Sequence, residues 1–344
     1  MAIAALLTSV GASLFALALS LSLTRWLASR AGSTLGPLDH PNARSLHNTP
    51  VPRSGGLGVL AGVALVWLVA LLWGDASAEL IWIGAALLVV AVVSFLDDLR
   101  TLSPLTRLAV HGLAAGLLIS GGLRWTQFDL PGLFWTLPTA LALLLTLLFV
   151  VWMINLYNFM DGIDGLAGGM AVCGFLALAW LGWRGDAPLY TAICLGVAAA
   201  AAGFLVSNLP PARIFLGDVG SSSLGFLAAA LALWGVKLGL FALWVAWLIF
   251  SPFIVDATWT LLARLARGER VWEAHRSHHY QRVILAGWTQ RETLTRAYAL
   301  MGAVTVCAVS APRLTVIEQW GLLAGWAVVY GLIHVKVMRL EREP

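Results

Sequence analysis

Five aspartates carry the chemistry of this chain. Asp97, Asp98, Asp161, Asp164 and Asp218 stand at the edges of long apolar runs, in a sequence with only 17 acidic residues. Asp97 and Asp98 are adjacent, in Phe95-Leu96-Asp97-Asp98-Leu99-Arg100. Paired carboxylates at a helix end repel one another unless a cation or protons neutralise them, and the negative end of the helix dipole adds to the cost. A solvated helix end is the plain alternative. Asn155, Asn158 and Asp161 recur every third residue in Asn155-Leu156-Tyr157-Asn158-Phe159-Met160-Asp161-Gly162-Ile163-Asp164-Gly165, so a helix continuing to Asp161 puts them on one face. The glycines after them end the helix and bare backbone N–H groups. Oxygen ligands beside such N–H groups suit a hard metal ion and a phosphate. A glycine-rich turn capped by Asp is the simpler reading.

Two further segments add to this set. Asp218, in Phe215-Leu216-Gly217-Asp218-Val219-Gly220-Ser221, precedes small residues that open an apolar run. Helix capping and metal binding are both open to it. His275-Arg276-Ser277-His278-His279-Tyr280-Gln281-Arg282 gathers three histidines and two arginines in eight residues. No cysteine accompanies them, and carboxylates elsewhere favour Mg²⁺ over Zn²⁺, with Mn²⁺ the other candidate. The cluster suits phosphate handling; a solvated loop is the alternative. The stretch from Asp39 to Gly58 holds His40, Arg44, His47 and Arg53. Carboxylates for a metal and cationic groups for phosphate oxygens together describe a Mg²⁺-dependent phosphoryl-transfer site.

The elements that must position these groups are membrane spans. Apolar residues make up 60% of the 344, and charged residues 11%, too few to cover a water-soluble globule. That composition excludes a soluble enzyme, a nucleic-acid-binding domain and a disordered chain. The runs are continuous instead of alternating, which excludes a transmembrane β-barrel. The fold class is all-α and polytopic. Eleven spans are expected, at roughly 2–24, 56–73, 79–96, 105–123, 133–154, 165–183, 187–207, 220–236, 238–263, 295–311 and 316–335, the fourth and eighth being the weakest. The first is not a cleavable signal, since Arg25 and Arg30 follow its apolar run. The 17 tryptophans suit anchoring at the bilayer interface. Cys173, Cys194 and Cys307 lie inside apolar runs and form no metal or disulfide pattern.

Orientation follows from the basic residues. Loops 25–55, 97–104, 155–164, 208–219 and 264–294, the tail from Lys336 and the adjoining helix ends hold 17 of the 21. Arg124, Arg184, Lys237 and Arg313 are left for the other side. The first set is then cytoplasmic, with the N-terminus outside and the C-terminus inside. All five aspartates fall on that face of a single transmembrane domain, 1–344. A transporter or flippase explains the spans but calls for polar groups near the midplane and on both sides. A CDP-alcohol phosphotransferase calls for DG, AR and spaced aspartates on one helix, and DGIDGLAGG lacks the last two.

DDLR, NLYNFMDGIDGLAGG, PPARIFLGDVGSSSLG and the HRSHH loop, in this order, resemble the polyprenyl-phosphate N-acetylhexosamine-1-phosphate transferases, glycosyltransferase family 4, over nearly the whole chain. The resemblance implies that a polyprenyl phosphate in the membrane attacks a UDP-N-acetylamino sugar, releasing UMP and leaving a polyprenyl-diphosphate sugar. It implies Asp218 as the main Mg²⁺ ligand, with Asn155 and Asn158 on the metal and diphosphate side beside Asp161. Asp97 and Asp98 resemble the pair near the metal and lipid phosphate, where one acts as base or neither needs to, since a phosphate monoester is largely ionised near neutrality. Gly162, Ile163, Asp164 and Phe215 resemble the uridine pocket, with Phe215 stacked on the base. His278 and His279 resemble the end of the family's histidine motif, and Arg53, His275 and Arg276 are candidate substrate-binding residues beside it. Two positions depart from the pattern: Thr101 stands where an Asp or Lys is common, and Arg276 where the first His would be. HRSHHYQR looks more like the subgroup that starts O-antigen or exopolysaccharide synthesis than like the phospho-MurNAc-pentapeptide transferase. The expected setting is the inner membrane, and a homodimer is compatible with it.

Overall fold

The computed structural model describes residues 2–32, 37–41, 50–72, 77–270 and 275–341, with side chains from Thr8 onward. Arg44 and His47 lie outside the described residues. The chain is all-α and polytopic. Its helices are α1 (Ala2–Ser29), α2 (Gly55–Leu72), α3 (Ala78–Leu99), α4 (Pro104–Ser120), α5 (Thr139–Phe159), α6 (Leu166–Arg184), α7 (Pro188–Asn208), α8 (Gly217–Lys237), α9 (Leu243–Ile249), α10 (Ser251–Ala266), α11 (His279–Leu285), α12 (Gln290–Ser310) and α13 (Val316–Leu340). Two short antiparallel ribbons complete it. β1 (Leu38–Asp39) pairs with β2 (Val51–Pro52), and β3 (Gln127–Leu130) pairs with β4 (Leu133–Thr136).

Among the described residues nine helices are long and apolar enough to cross a membrane, or ten if α9 and α10 count as one broken span. Eleven were expected, and the shortfall is α4. Its 17 residues, closed by Ser103-Pro104 before and Gly121-Gly122 after, reach about 26 Å against a hydrocarbon core of about 30 Å. The expected ninth span is bent by 84° at Phe250, because Pro252 in the first turn of α10 has no N–H with which to continue α9. The expected fifth span begins later than 133. Pro131 and Gly132, the latter at φ +71°, turn the chain into the β3–β4 hairpin first.

The eighth span, weak by sequence, lies at the centre. Of its most apolar stretch 94% is inside the protein, whereas for α13 the figure is 6%. Gly, Ser and Ala replace bulkier residues in α8 because α2, α3, α5 and α6 pack against it. Its N-terminus is thereby held against the C-terminal ends of α3 and α5.

Candidate active site

At the start of α8 the first backbone N–H groups have no intrahelical partner. Asp98, at the end of α3, supplies one. Its Oδ1 accepts from Asp218 N–H at 3.0 Å and its Oδ2 from Val219 N–H at 2.9 Å. The dipole of α8 thus favours a charge that the dipole of α3 disfavours. Arg53 closes the other side, with Nη2 donating to the Asp98 carbonyl at 2.5 Å and Nε 3.7 Å from Oδ1. The Asp98 side chain is 1% exposed, and both of its oxygens are committed to backbone. Gly217 permits this approach. Its φ is +73°, and a Cβ there would overlap the Arg53 carbonyl and lie 2.9 Å from Asp98 Oδ2.

Capping from outside leaves Asp218 free. No side chain at α8's own N-cap bonds to it, and the Asp218 carboxylate is 30% exposed. Arg107 reaches toward it from α4: Nη1 lies 3.9 Å from Asp218 Oδ2 and 3.3 Å from Asp97 Oδ2. The other Asp97 oxygen accepts from Leu102 N–H at 2.6 Å.

The α5 helix ends at Phe159, short of the expected Asp161, because Gly162 follows. Asn155 and Asn158 keep the shared face. The Asn155 amide donates to Val151 O at 2.7 Å and lies 3.2 Å from His111 Nδ1. Asp161 sits just past the helix, its N–H donating to Asn158 O at 3.1 Å. Burial, then the charges of Asp218, Asp98 and Asp164, pushes its carboxyl up to about 8. Next to it, Asp164 Oδ2 accepts from Ala212 N–H at 2.9 Å. Buried Asn208 ties the same turn down, accepting from Gly165 N–H and donating to Ile214 O, both at 2.9 Å. Half-buried Phe215 follows, its N–H donating to Pro52 O at 2.7 Å. Gly162 is exposed, and a Cβ on it would run into Tyr280 Oη, whereas Ile163 is buried.

Among the described residues no three His, Cys, Asp or Glu side chains already converge as a closed metal cage. The donor chemistry fits a hard cation all the same. Carboxylates from three segments share one field, and the cations paired with them, Arg53 and Arg107, are fewer. Such an excess is stable with a cation or protons in place.

The histidine segment joins from α11. Tyr280 Oη donates to Phe159 O at 3.0 Å, and the His278 ring lies between Tyr280 and Phe159, at 5.8 Å and 6.3 Å. His275 stands 4.9 Å from His278 and accepts from Ser277 N–H at 3.2 Å through Nδ1. Burial and then the neighbouring positive groups lower its pKa to about 4, so it is neutral at pH 7. Asp256, buried in α10, organises the pair that follows. Its Oδ1 accepts from His279 N–H at 2.9 Å, lies 3.0 Å from His279 Nδ1 and 3.4 Å from His278 Nδ1. His279 Nε2 then meets His334 Nδ1 at 2.9 Å.

The description "Glycosyl transferase family 4" matches residues 80–236. These residues contain the DDLR, DGIDG and GDVGS segments just described. Over that stretch the chain is similar to glycosyl transferase family 4. It is similar to the probable undecaprenyl-phosphate N-acetylglucosaminyl 1-phosphate transferase of Bacillus subtilis, at 28% identity over 82% of this chain and 79% of that one. The decaprenyl-phosphate N-acetylglucosaminephosphotransferase of Mycobacterium tuberculosis is 29% identical over 90% of this chain and 83% of its own. The undecaprenyl-phosphate alpha-N-acetylglucosaminyl 1-phosphate transferase of Escherichia coli K12 is 27% identical over 88% and 84%. This chain is an enzyme of the glycosyl-1-phosphate transferase type.

Not every family 4 motif residue stands with the aspartates. Asp97, Asp98, Asp161, Asp164, Asp218 and Arg53 do. His278 approaches through Phe159, whereas His279 is turned toward Asp256 and His334. Arg276 lines a separate cavity of about 430 Å³ with Arg267, Arg282 and His334, and none of the five aspartates borders it. Arg107, His111, Asn208 and Asp256 were missed as site residues by sequence reasoning. Asp256 had one available signal, a lone carboxylate inside an apolar run.

Proposed function

We propose that this enzyme transfers an N-acetylamino-sugar 1-phosphate from a UDP-sugar to a polyprenyl phosphate, with Mg²⁺, at the cytoplasmic face of the inner membrane. The observation that carries the reading is the Asp98 cap. By holding the start of α8 itself, Asp98 leaves the Asp218 carboxylate open beside Asp97 and Arg107. The relatives' names point the same way, toward undecaprenyl or decaprenyl phosphate and N-acetylglucosamine. The excess of basic residues in the loops on this side supports the cytoplasmic facing.

In the step itself an oxygen of the lipid phosphate forms a bond to the β-phosphorus of the UDP-sugar. The bond from that phosphorus to the bridging oxygen breaks, and UMP leaves with the electron pair. Bound Mg²⁺ would supply positive charge to the diphosphate oxygens as charge builds on the leaving phosphate. Asp218 would hold the ion, with Asp161, Asn155 and Asn158 completing the donor set. Arg107 keeps Asp97 and Asp218 at a fixed separation. Asp98 acts on the reaction through the backbone it caps: each of its oxygens accepts a backbone N–H and its side chain is 1% exposed, which turns it away from base work. Phe215 stacks on the uracil, and the turn held by Asp164 and Asn208 forms the pocket beside it. The pathway we propose is the start of O-antigen or a related polysaccharide.

The test is UMP release by detergent-purified protein given polyprenyl phosphate, Mg²⁺ and a panel of donors: UDP-GlcNAc, UDP-6-deoxy amino sugars and UDP-MurNAc-pentapeptide. Release that needs both lipid and metal supports the reading. Activity on the MurNAc-pentapeptide donor alone would replace the O-antigen assignment with cell-wall synthesis. No release from folded, lipid-supplied protein, together with no binding of any donor, would end it.

A further inference from the structure

Apart from the carboxylate group, a chamber of about 620 Å³ lies between α10, α11, α12 and α13. Its walls are mainly apolar, with Phe253, Leu300, Met301 and Val337 among them. It spans the first turns of α12 and the last turns of α13, so it occupies the half of the membrane that ends at the active-site face. Tyr298 of α12 confirms that level, donating to Gly165 O at 2.8 Å in the DGIDG turn. At the rim stands Trp288, just before α12. The Arg296 guanidinium lies 3.7 Å from its ring centroid and the Lys336 ammonium 5.5 Å from it. Among the described residues neither cation is within ion-pair distance of a carboxylate.

We infer that this chamber holds one acyl chain of an anionic bilayer phospholipid, with its phosphate seated on Arg296 and Lys336. An apolar chamber at membrane depth takes up the chains of the surrounding lipid. Two cations beside an interfacial indole select a negative headgroup. None of the five aspartates lines the chamber, so a phosphate held at its rim is a resident and not a reactant. The occupant has a structural consequence. The α13 helix is barely buried and meets α10 through Ser251–Tyr330, at 2.6 Å, and Trp259–His334, so a lipid chain fills the space left beside these contacts. His279 and His334 also line the chamber, and their 2.9 Å contact joins its two walls. Lipid occupancy therefore steadies the helix that carries the histidine pair.

The experiment is native mass spectrometry and thermal unfolding of the full-length protein in detergent. Phosphatidylglycerol, phosphatidylcholine or free glycerol 3-phosphate is added at matched concentration. The expected result is one retained phosphatidylglycerol, a higher Tm with it, little effect of phosphatidylcholine and none of glycerol 3-phosphate. Each rim cation is worth about fivefold in retention, so Arg296→Gln with Lys336→Gln should weaken phosphatidylglycerol by roughly 25-fold and erase the headgroup preference. Leu300→Trp, which narrows the chamber and leaves the cations in place, should weaken retention of the lipid. Should either variant fail to fold, the wild-type comparison decides. Equal retention of both phospholipids overturns the proposal, as does protection by glycerol 3-phosphate alone. So does displacement of phosphatidylglycerol by polyprenyl phosphate, with a raised KM for that substrate in the rim variant, which would hand the chamber to the reactant.

Discussion

Replacing Asp98 by Asn tests the cap directly. The carboxylate accepts Asp218 N–H and Val219 N–H at 3.0 and 2.9 Å, one on each oxygen. Bonds to a charged acceptor contribute about 1.5–3 kcal/mol each, and neutral ones about 0.5–1.5. Asn keeps one acceptor and turns an NH₂ donor toward the other N–H. Two charged bonds are exchanged for one neutral bond and one opposed donor pair, a loss of roughly 2–4 kcal/mol. If that loss appears as misplacement of Asp218, kcat falls about 30- to 1,000-fold, at about 1.4 kcal/mol per decade. UMP release across a series of Mg²⁺ concentrations and pH values is the assay. A positioning role keeps the shape of the pH–rate profile in the residual activity and weakens the Mg²⁺ dependence. Turnover within about threefold of wild type at every Mg²⁺ concentration would refute the cap argument. Loss of one ionisation from the profile, with Mg²⁺ affinity intact, would make Asp98 a base and refute it equally.

Asp218→Asn should abolish turnover at any Mg²⁺ concentration while leaving UDP-sugar binding measurable by calorimetry. Phe215→Ala should raise KM for the UDP-sugar and leave KM for the lipid unchanged in steady-state assays. Asp161 holds its proton to about 8, well above the ordinary carboxylate value. Without metal, its contribution to stability is therefore complete below about pH 4 and is lost as pH rises toward 8. Tm measured without Mg²⁺ should fall over that window, added Mg²⁺ should restore it, and Asp161→Asn should flatten the dependence. Asp256→Ala should free the rings of His278 and His279, leaving their NMR ring signals broadened and kcat lowered, with KM for the UDP-sugar little changed.

The sequence announces its functional carboxylates because a membrane makes them expensive. Asp97, Asp161 and Asp218 stand at the edges of apolar runs, where a carboxylate is costly enough to draw notice although capping or solvation would also account for each one singly. What it hides is who holds whom. The Asp98–α8 cap joins residues 120 positions apart, so no local pattern marks it. Asp256 belongs to no motif and looks like one stray charge inside an apolar helix. Arg107 reads as one more basic residue at a helix end until α4 folds back on α3 and brings it to Asp97. Span bounds moved where the local chemistry was stronger than hydropathy: Pro252 breaks the ninth span, and Pro131-Gly132 turns the chain before the fifth. The eighth span looked weak for the reason that makes it central, since small residues lower hydropathy and admit close neighbours.

That central position also sets an order of events during synthesis. The helices that enclose α8, namely α2, α3, α5 and α6, all precede it in the chain. They are therefore in the bilayer when α8 leaves the ribosome. Until then Asp98 ends α3 without the N–H groups it is placed to accept, and Asp97 has no Asp218 beside it. The entry of one helix completes the cap and the carboxylate group together. A partly made chain carries no working centre, and the membrane is spared a half-assembled enzyme acting on its carrier lipid.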